Sequence, residues 1–164
     1  MGEQDIERLY PVYRACTDFC KLAELPFRFK EDLGDFETAI GFTEDGDEFG
    51  NLLLTLYHPP YSKNWNKAET IICPDILDYQ HKIIIEFEEE TGPRKAGEKY
   101  ARKGHGHEGD LDTKRDSRRN EFYQLAGFKV FRLWESTFKN ENWKAKLFEF
   151  LIDCWNKSLE ASKN

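Results

Sequence analysis

Apolar residues recur at helical spacing near both ends of the chain. Ile6, Leu9, Tyr10, Tyr13, Cys16, Cys20 and Ala23 follow a period close to 3.6 residues, which predicts a helix over residues 5–24. Pro11 must then lie in its first turn or kink it. Trp143, Leu147, Phe150, Leu151, Cys154 and Trp155 predict a second amphipathic helix over residues 142–158. Between these helices the period changes. Lys82-Ile83-Ile84-Ile85 is a short apolar run typical of a buried strand, and it leads into Glu86-Phe87-Glu88. Thr70–Asp75 reads as its antiparallel partner, the two strands joined across Leu77–Gln80. Residues 112–126 predict a helix that Asp110 or Asp112 can cap and that Gly127 closes at the C′ position. Phe128–Leu133 follows as a strand, with Phe128, Val130 and Arg132 on one face and Lys129, Phe131 and Leu133 on the other.

The remaining segments are less regular. Leu25–Phe29 is a short candidate strand. Residues 31–50 are acidic and punctuated by Gly34, Gly41, Gly46 and Gly50, with Phe36–Phe42 able to pair as a strand. Asn51–Tyr57 is apolar and fits either a strand or a helix. His58-Pro59-Pro60 ends it, and residues 61–69 read as loop. The stretch from Gly92 to Gly109 is glycine-rich and basic, the best candidate for a mobile loop. The order is therefore helix, strands, hairpin, helix, strand, helix. It predicts one α/β domain over residues 1–164, with a central mixed β-sheet flanked by helices and a core at about residues 69–138.

The hairpin carries the chemistry. Residues two apart on a strand share a face, so Glu86 and Glu88 point the same way. Asp75, on the neighbouring strand, adds a third carboxylate. Three carboxylates that close repel unless something positive lies between them, and a hard divalent cation such as Mg²⁺ is the natural counterion. Asp75 and Glu86 holding Mg²⁺ or Mn²⁺ would make the outline of a metal-dependent phosphodiesterase. The competing description of Glu86, Glu88, Glu89 and Glu90 is a solvated acidic strand end.

These residues resemble a known family. Pro74-Asp75, a short hairpin and Glu86-Phe87-Glu88 are similar to the signature of the PD-(D/E)xK nuclease superfamily. The downstream run from Lys114 to Glu135 resembles a segment of the very-short-patch mismatch-repair (Vsr-like) endonucleases and their relatives. The matching positions are Asp116, Arg119-Asn120, Gly127-Phe128, Val130 and Trp134-Glu135. The resemblance covers about residues 69–138. It implies a restriction-endonuclease-like core and a metal-dependent DNA endonuclease. It also implies the backbone carbonyl of Phe87 as a further metal ligand beside Asp75 and Glu86. Most of the superfamily has lysine where this chain has Glu88. Glu88 could bind a second metal ion or act as general base, and Lys99 or Lys103 could replace the missing lysine. Arg119 matches the family's arginine, suited to binding phosphate or pairing with a site carboxylate. An ion pair with Asp116 at i, i+3 is the alternative.

Charge sharpens the picture. The chain has a net charge of −7, which argues mildly against a nucleic-acid partner. Residues 94–119, however, are net +4, which leaves −11 on the rest. Lys95, Lys99, Arg102, Lys103, Arg115, Arg118 and Arg119 are the candidate phosphate contacts to duplex DNA. A solvated loop of mixed charge is the plainer description. In the same segment His105 and His107 flank Gly106. Either could protonate a leaving oxygen or position water. They could also be zinc ligands, without further ligands at suitable spacing, or simply exposed loop residues. His58 and His81 carry no motif and read as structural or exposed. Cys16, Cys20, Cys73 and Cys154 lack a disulfide spacing and read as buried thiols. No run of eighteen apolar residues and no signal-peptide pattern is visible. A membrane span is not expected, and a cytoplasmic location follows as the default.

Two classes of function remain at this point. One is a Mg²⁺-dependent endonuclease, acting as a monomer that nicks or a homodimer that cuts both strands. The other is a non-catalytic DNA-binding or assembly protein of the same fold. A junction-selective or RNA-acting nuclease is a variant of the first.

Overall fold

The computed structural model describes residues 3–41, 47–57, 71–88, 109–140 and 142–163, with the backbone alone for residues 3–8, 54, 57, 109–117 and 140. The described elements run α1 (Glu3–Leu22), β1 (Lys30–Glu31), α2 (Gly50–Tyr57), β2 (Ile76–Asp78), β3 (Ile83–Glu88), α3 (Gly109–Ala126), β4 (Lys129–Trp134), α4 (Glu135–Asn140) and α5 (Trp143–Ser162). The strands form one sheet in the order β1-β2-β3-β4. The β1–β2 and β2–β3 pairs are antiparallel, and β3 and β4 run parallel. The chain is thus a mixed α/β protein with a four-stranded mixed sheet flanked by helices.

Both faces of the sheet are covered, which explains the unbroken isoleucine run of β3. Ile83 and Ile85, with Ile76 and Leu133, pack against Leu9, Val12, Cys16 and Cys20 of α1 and Leu147, Leu151 and Cys154 of α5. Ile84, with Leu77, packs on the opposite face against Phe122, Tyr123 and Ala126 of α3 and Leu53 of α2. The parity of β3 then puts Glu86 and Glu88 on the α3 face, in line with Ile84.

Several elements fall where the sequence predicts them. Helix α3 ends at Ala126, and Gly127 follows it with φ +83°. Gly127 N–H donates to Gln124 C=O and Phe128 N–H to Tyr123 C=O, the paired closure of a Schellman motif. The two faces of β4 divide as its alternation predicts, Phe128 and Val130 toward α3 and Phe131 and Leu133 toward α1 and α5.

Other elements differ, each for a local reason. The strand expected over Thr70–Asp75 lies later, at Ile76–Asp78. Pro74 has no N–H to offer a ladder, and Ile72 makes only an isolated bridge to Ile40. That bridge is the only pairing drawn from the Phe36–Phe42 segment among the described residues, and Phe36 itself takes φ 63°. The hairpin turn is Tyr79–Lys82, because Asp78 Oδ1 accepts His81 N–H at 2.9 Å and so closes the strand one residue before the turn. Leu25–Phe29 is not a ladder strand. Arg28 N–H goes to the Asp78 carboxylate at 2.8 Å, and pairing begins at Lys30. Asn51–Tyr57 is helical, entered through Asp47, whose Oδ1 accepts Phe49 N–H at 2.8 Å. Pro11 lies well inside α1, exposed, beyond the first turn. Helix α4 has no counterpart in the sequence pattern.

Candidate functional site

The register of the hairpin builds the site. Ile76 pairs with Ile85, so the next positions along, Asp75 and Glu86, lie side by side on the α3 face. Asp75 Oδ2 accepts the backbone N–H of Phe87 at 2.8 Å, and the Asp75 carbonyl accepts Asp32 N–H at 2.8 Å. Glu86 is only 8% exposed. Its Oε1 accepts the Tyr123 hydroxyl at 2.8 Å and Arg119 Nη2 at 3.1 Å.

Helix α3 supplies both donors because positions i and i+4 share a helix face. Arg119 Nε donates to Tyr123 Oη at 2.9 Å. Arg119 Nη2 also donates to the Cys73 carbonyl at 3.1 Å, just upstream of Asp75. One guanidinium therefore ties the approach to Asp75 to the carboxylate of Glu86.

Electrostatics separates the members of this group. Burial and then the Glu86 carboxylate push Asp75 up to about 7, against the pull of Phe87 N–H and Arg119. Burial works against the charge of Arg119, but Glu86, Tyr123 and Asp75 more than offset it and raise its pKa. Burial, then Glu86, raises Tyr123 well above the usual phenol range, so its hydroxyl stays a protonated donor.

Glu88 has a separate partner. It forms an ion pair with Arg132 of β4, and Arg132 also donates to Asn120 Oδ1 of α3. Of the carboxylates expected to cluster, then, Asp75 and Glu86 come together, while Glu88 is tied to Arg132. Arg119 pairs with Glu86. Asp116 lies on α3, but its side chain is outside the described residues. Arg118 is half-buried on α3. Arg115 is on the same helix with its side chain outside the description. Lys95, Lys99, Arg102, Lys103, His105, His107 and His58 also lie outside the described residues.

Sequence reasoning missed Tyr123, Arg132 and Asp78. The signals were present for two of them. Tyr123 is four residues after Arg119, and Arg132 shares the Val130 face of β4. His81, read as structural or exposed, is half-buried, and its Nδ1 lies 2.9 Å from Asp78 Oδ2.

The donor chemistry fits a hard divalent cation in part. Asp75 and Glu86 are adjacent oxygen donors, and Arg119 already pairs with Glu86 Oε1. Among the described residues, no group of three or more His, Cys, Asp or Glu side chains is assembled to hold a metal ion. A cation here would rest on two carboxylates and main-chain oxygen. Also among the described residues, no helix is long and apolar enough to cross a membrane. No family model, curated protein or solved structure matches the chain.

Proposed function

We propose that this protein is a metal-dependent phosphodiester hydrolase acting on DNA, an endonuclease with a restriction-endonuclease-like core. One observation carries the reading. Two carboxylates, Asp75 just ahead of β2 and Glu86 of β3, are neighbours, and Asp75 is pushed up to about 7. Strongly shifted carboxyls cluster at functional sites. The element order, a mixed sheet with its hairpin followed by a helix and a parallel strand, supports the fold assignment. The fold alone carries no function.

Asp75 and Glu86 would hold Mg²⁺ or Mn²⁺, with the Phe87 carbonyl offered by the same strand. The cation would supply Lewis acidity to a phosphate oxygen and a more acidic bound water. The chain's own residues do the rest. Arg119 and Tyr123 fix the carboxylate of Glu86. Glu88, two residues on and on the same face, is the group to accept a proton from the attacking water, held in place by Arg132. The net +4 of residues 94–119 would draw the DNA backbone toward a chain that is otherwise acidic.

A second reading, a non-catalytic binding or assembly protein of the same fold, is favoured by the pairing of Glu86 and Glu88 with Arg119 and Arg132. Incubation with supercoiled plasmid separates the two. The hydrolase reading expects nicked or linear product with Mg²⁺ or Mn²⁺, none with chelator, and none from Asp75→Asn. Untouched plasmid under all conditions, or full activity in Asp75→Asn, rejects it.

A further inference from the structure

Tyr123 lies among Phe122 and Phe128 in the α3-side core and is 2% exposed, so packing fixes where its hydroxyl sits. Arg119 Nε donates to that hydroxyl oxygen. A guanidinium has donors only and accepts nothing. The single phenolic proton is therefore committed to its other neighbour, Glu86 Oε1, at 2.8 Å. Arg119 Nη2 reaches the same oxygen at 3.1 Å. Two donors converge on Oε1, and the hydrogen bonds that the Glu86 carboxylate draws among the described residues all end there. The carboxylate cannot rotate without breaking both, which leaves Oε2 as its remaining donor atom.

We propose that Tyr123 is a positioning residue that makes Glu86 a one-oxygen ligand and so tunes the site toward small divalent cations. This rests on the metal-site reading above. Mg²⁺ and Mn²⁺ suit near-octahedral sites of single oxygens, whereas the larger Ca²⁺ takes more oxygens and accepts two from one carboxylate. A Glu86 with Oε1 already engaged disfavours Ca²⁺. Tyr123 touches neither cation nor substrate in this scheme. It acts through Glu86, as groups that orient a ligand do in other metal sites.

The test is calorimetric binding of Mn²⁺ and of Ca²⁺ to the full chain, with melting followed in parallel. Tyr123→Phe keeps the ring in the core and removes only the hydroxyl. It should weaken Mn²⁺ binding about tenfold, the lower end for loss of a group that orients a ligand. Ca²⁺ binding should stay the same or tighten, so the preference for Mn²⁺ falls by at least as much. A merely structural hydroxyl would lower the melting temperature and leave that preference unmoved. If Tyr123→Phe fails to fold, Arg119→Lys keeps the charge but removes Nε–H, and it must lower the same ratio. Mn²⁺ binding that Asp75→Asn abolishes, together with an unchanged ratio in these variants, overturns this inference and spares the metal site. Wild-type protein that binds no Mn²⁺ overturns the metal site, and the inference falls with it.

Discussion

Asp75, just ahead of β2, and Asp78, at its end, stand three residues apart, and the fold treats them in opposite ways. Asp78 is 2% exposed and well supplied with donors. Its Oδ2 accepts Arg28 N–H at 2.8 Å and faces His81 Nδ1 at 2.9 Å, and its Oδ1 accepts His81 N–H at 2.9 Å. Those bonds close the hairpin turn and attach the segment ahead of β1. His81 packs in turn on Phe27, ring centroids 5.0 Å apart. Asp75 receives only Phe87 N–H and the pull of Arg119 to favour its charge, against burial and a second carboxylate beside it. A buried acid with donors is a structural joint. A half-buried acid set against another acid weakens the fold unless something else binds there.

The largest expected effect is on pH dependence. Asp75 holds its proton more tightly in the folded chain, at about 7, than an unfolded aspartate does near 3.9. Between those values the folded state carries the extra proton, so metal-free stability falls as pH rises from about 4 to about 7 and then levels. The loss is on the order of 4 kcal/mol for an isolated group. Asp75→Asn can still accept Phe87 N–H through its amide oxygen, and it should remove most of that slope. Urea denaturation across this pH range checks it. A wild-type slope that survives in Asp75→Asn assigns the effect to another group.

Asp78→Asn should act in the other direction and by less. An amide offers one acceptor oxygen where the carboxylate offered two, so at least one of the Arg28 and His81 donors loses its partner. The expected cost is about 2 kcal/mol at pH 7 by urea denaturation. Stability equal to wild type would mean that Asp78 is no joint, and the contrast with Asp75 would lose its reference.

Much of the site was legible because it is local. Pro74-Asp75, the isoleucine run and Glu86-Phe87-Glu88 set a hairpin in which the parity of one strand decides which face the glutamates take. Gly127 marks the end of α3 because only a residue at ease with positive φ fits there. The rest depends on partners distant in sequence. Tyr123 reads as one more core aromatic, and only the packing of α3 on the sheet brings its hydroxyl to Glu86, 37 residues away. Asp78 looks like a turn residue until Arg28, 50 residues earlier, is seen to bond to it. Asn51–Tyr57 was ambiguous because a short apolar run has no period long enough to separate strand from helix. Glu88 reads as the third member of a cluster, since its partner Arg132 comes from the parallel neighbour, 44 residues on.

The central claim is that Asp75, set beside the Arg119-paired Glu86, holds its proton up to about 7 and is not a structural joint. It is tested most directly by carbon-detected titration of the side-chain carboxyls in the metal-free protein, repeated with Mg²⁺. The account predicts that the Asp75 signal shows an apparent midpoint near 7 and that Mg²⁺ moves it downward. An Asp75 midpoint near 4, unmoved by Mg²⁺, would contradict it.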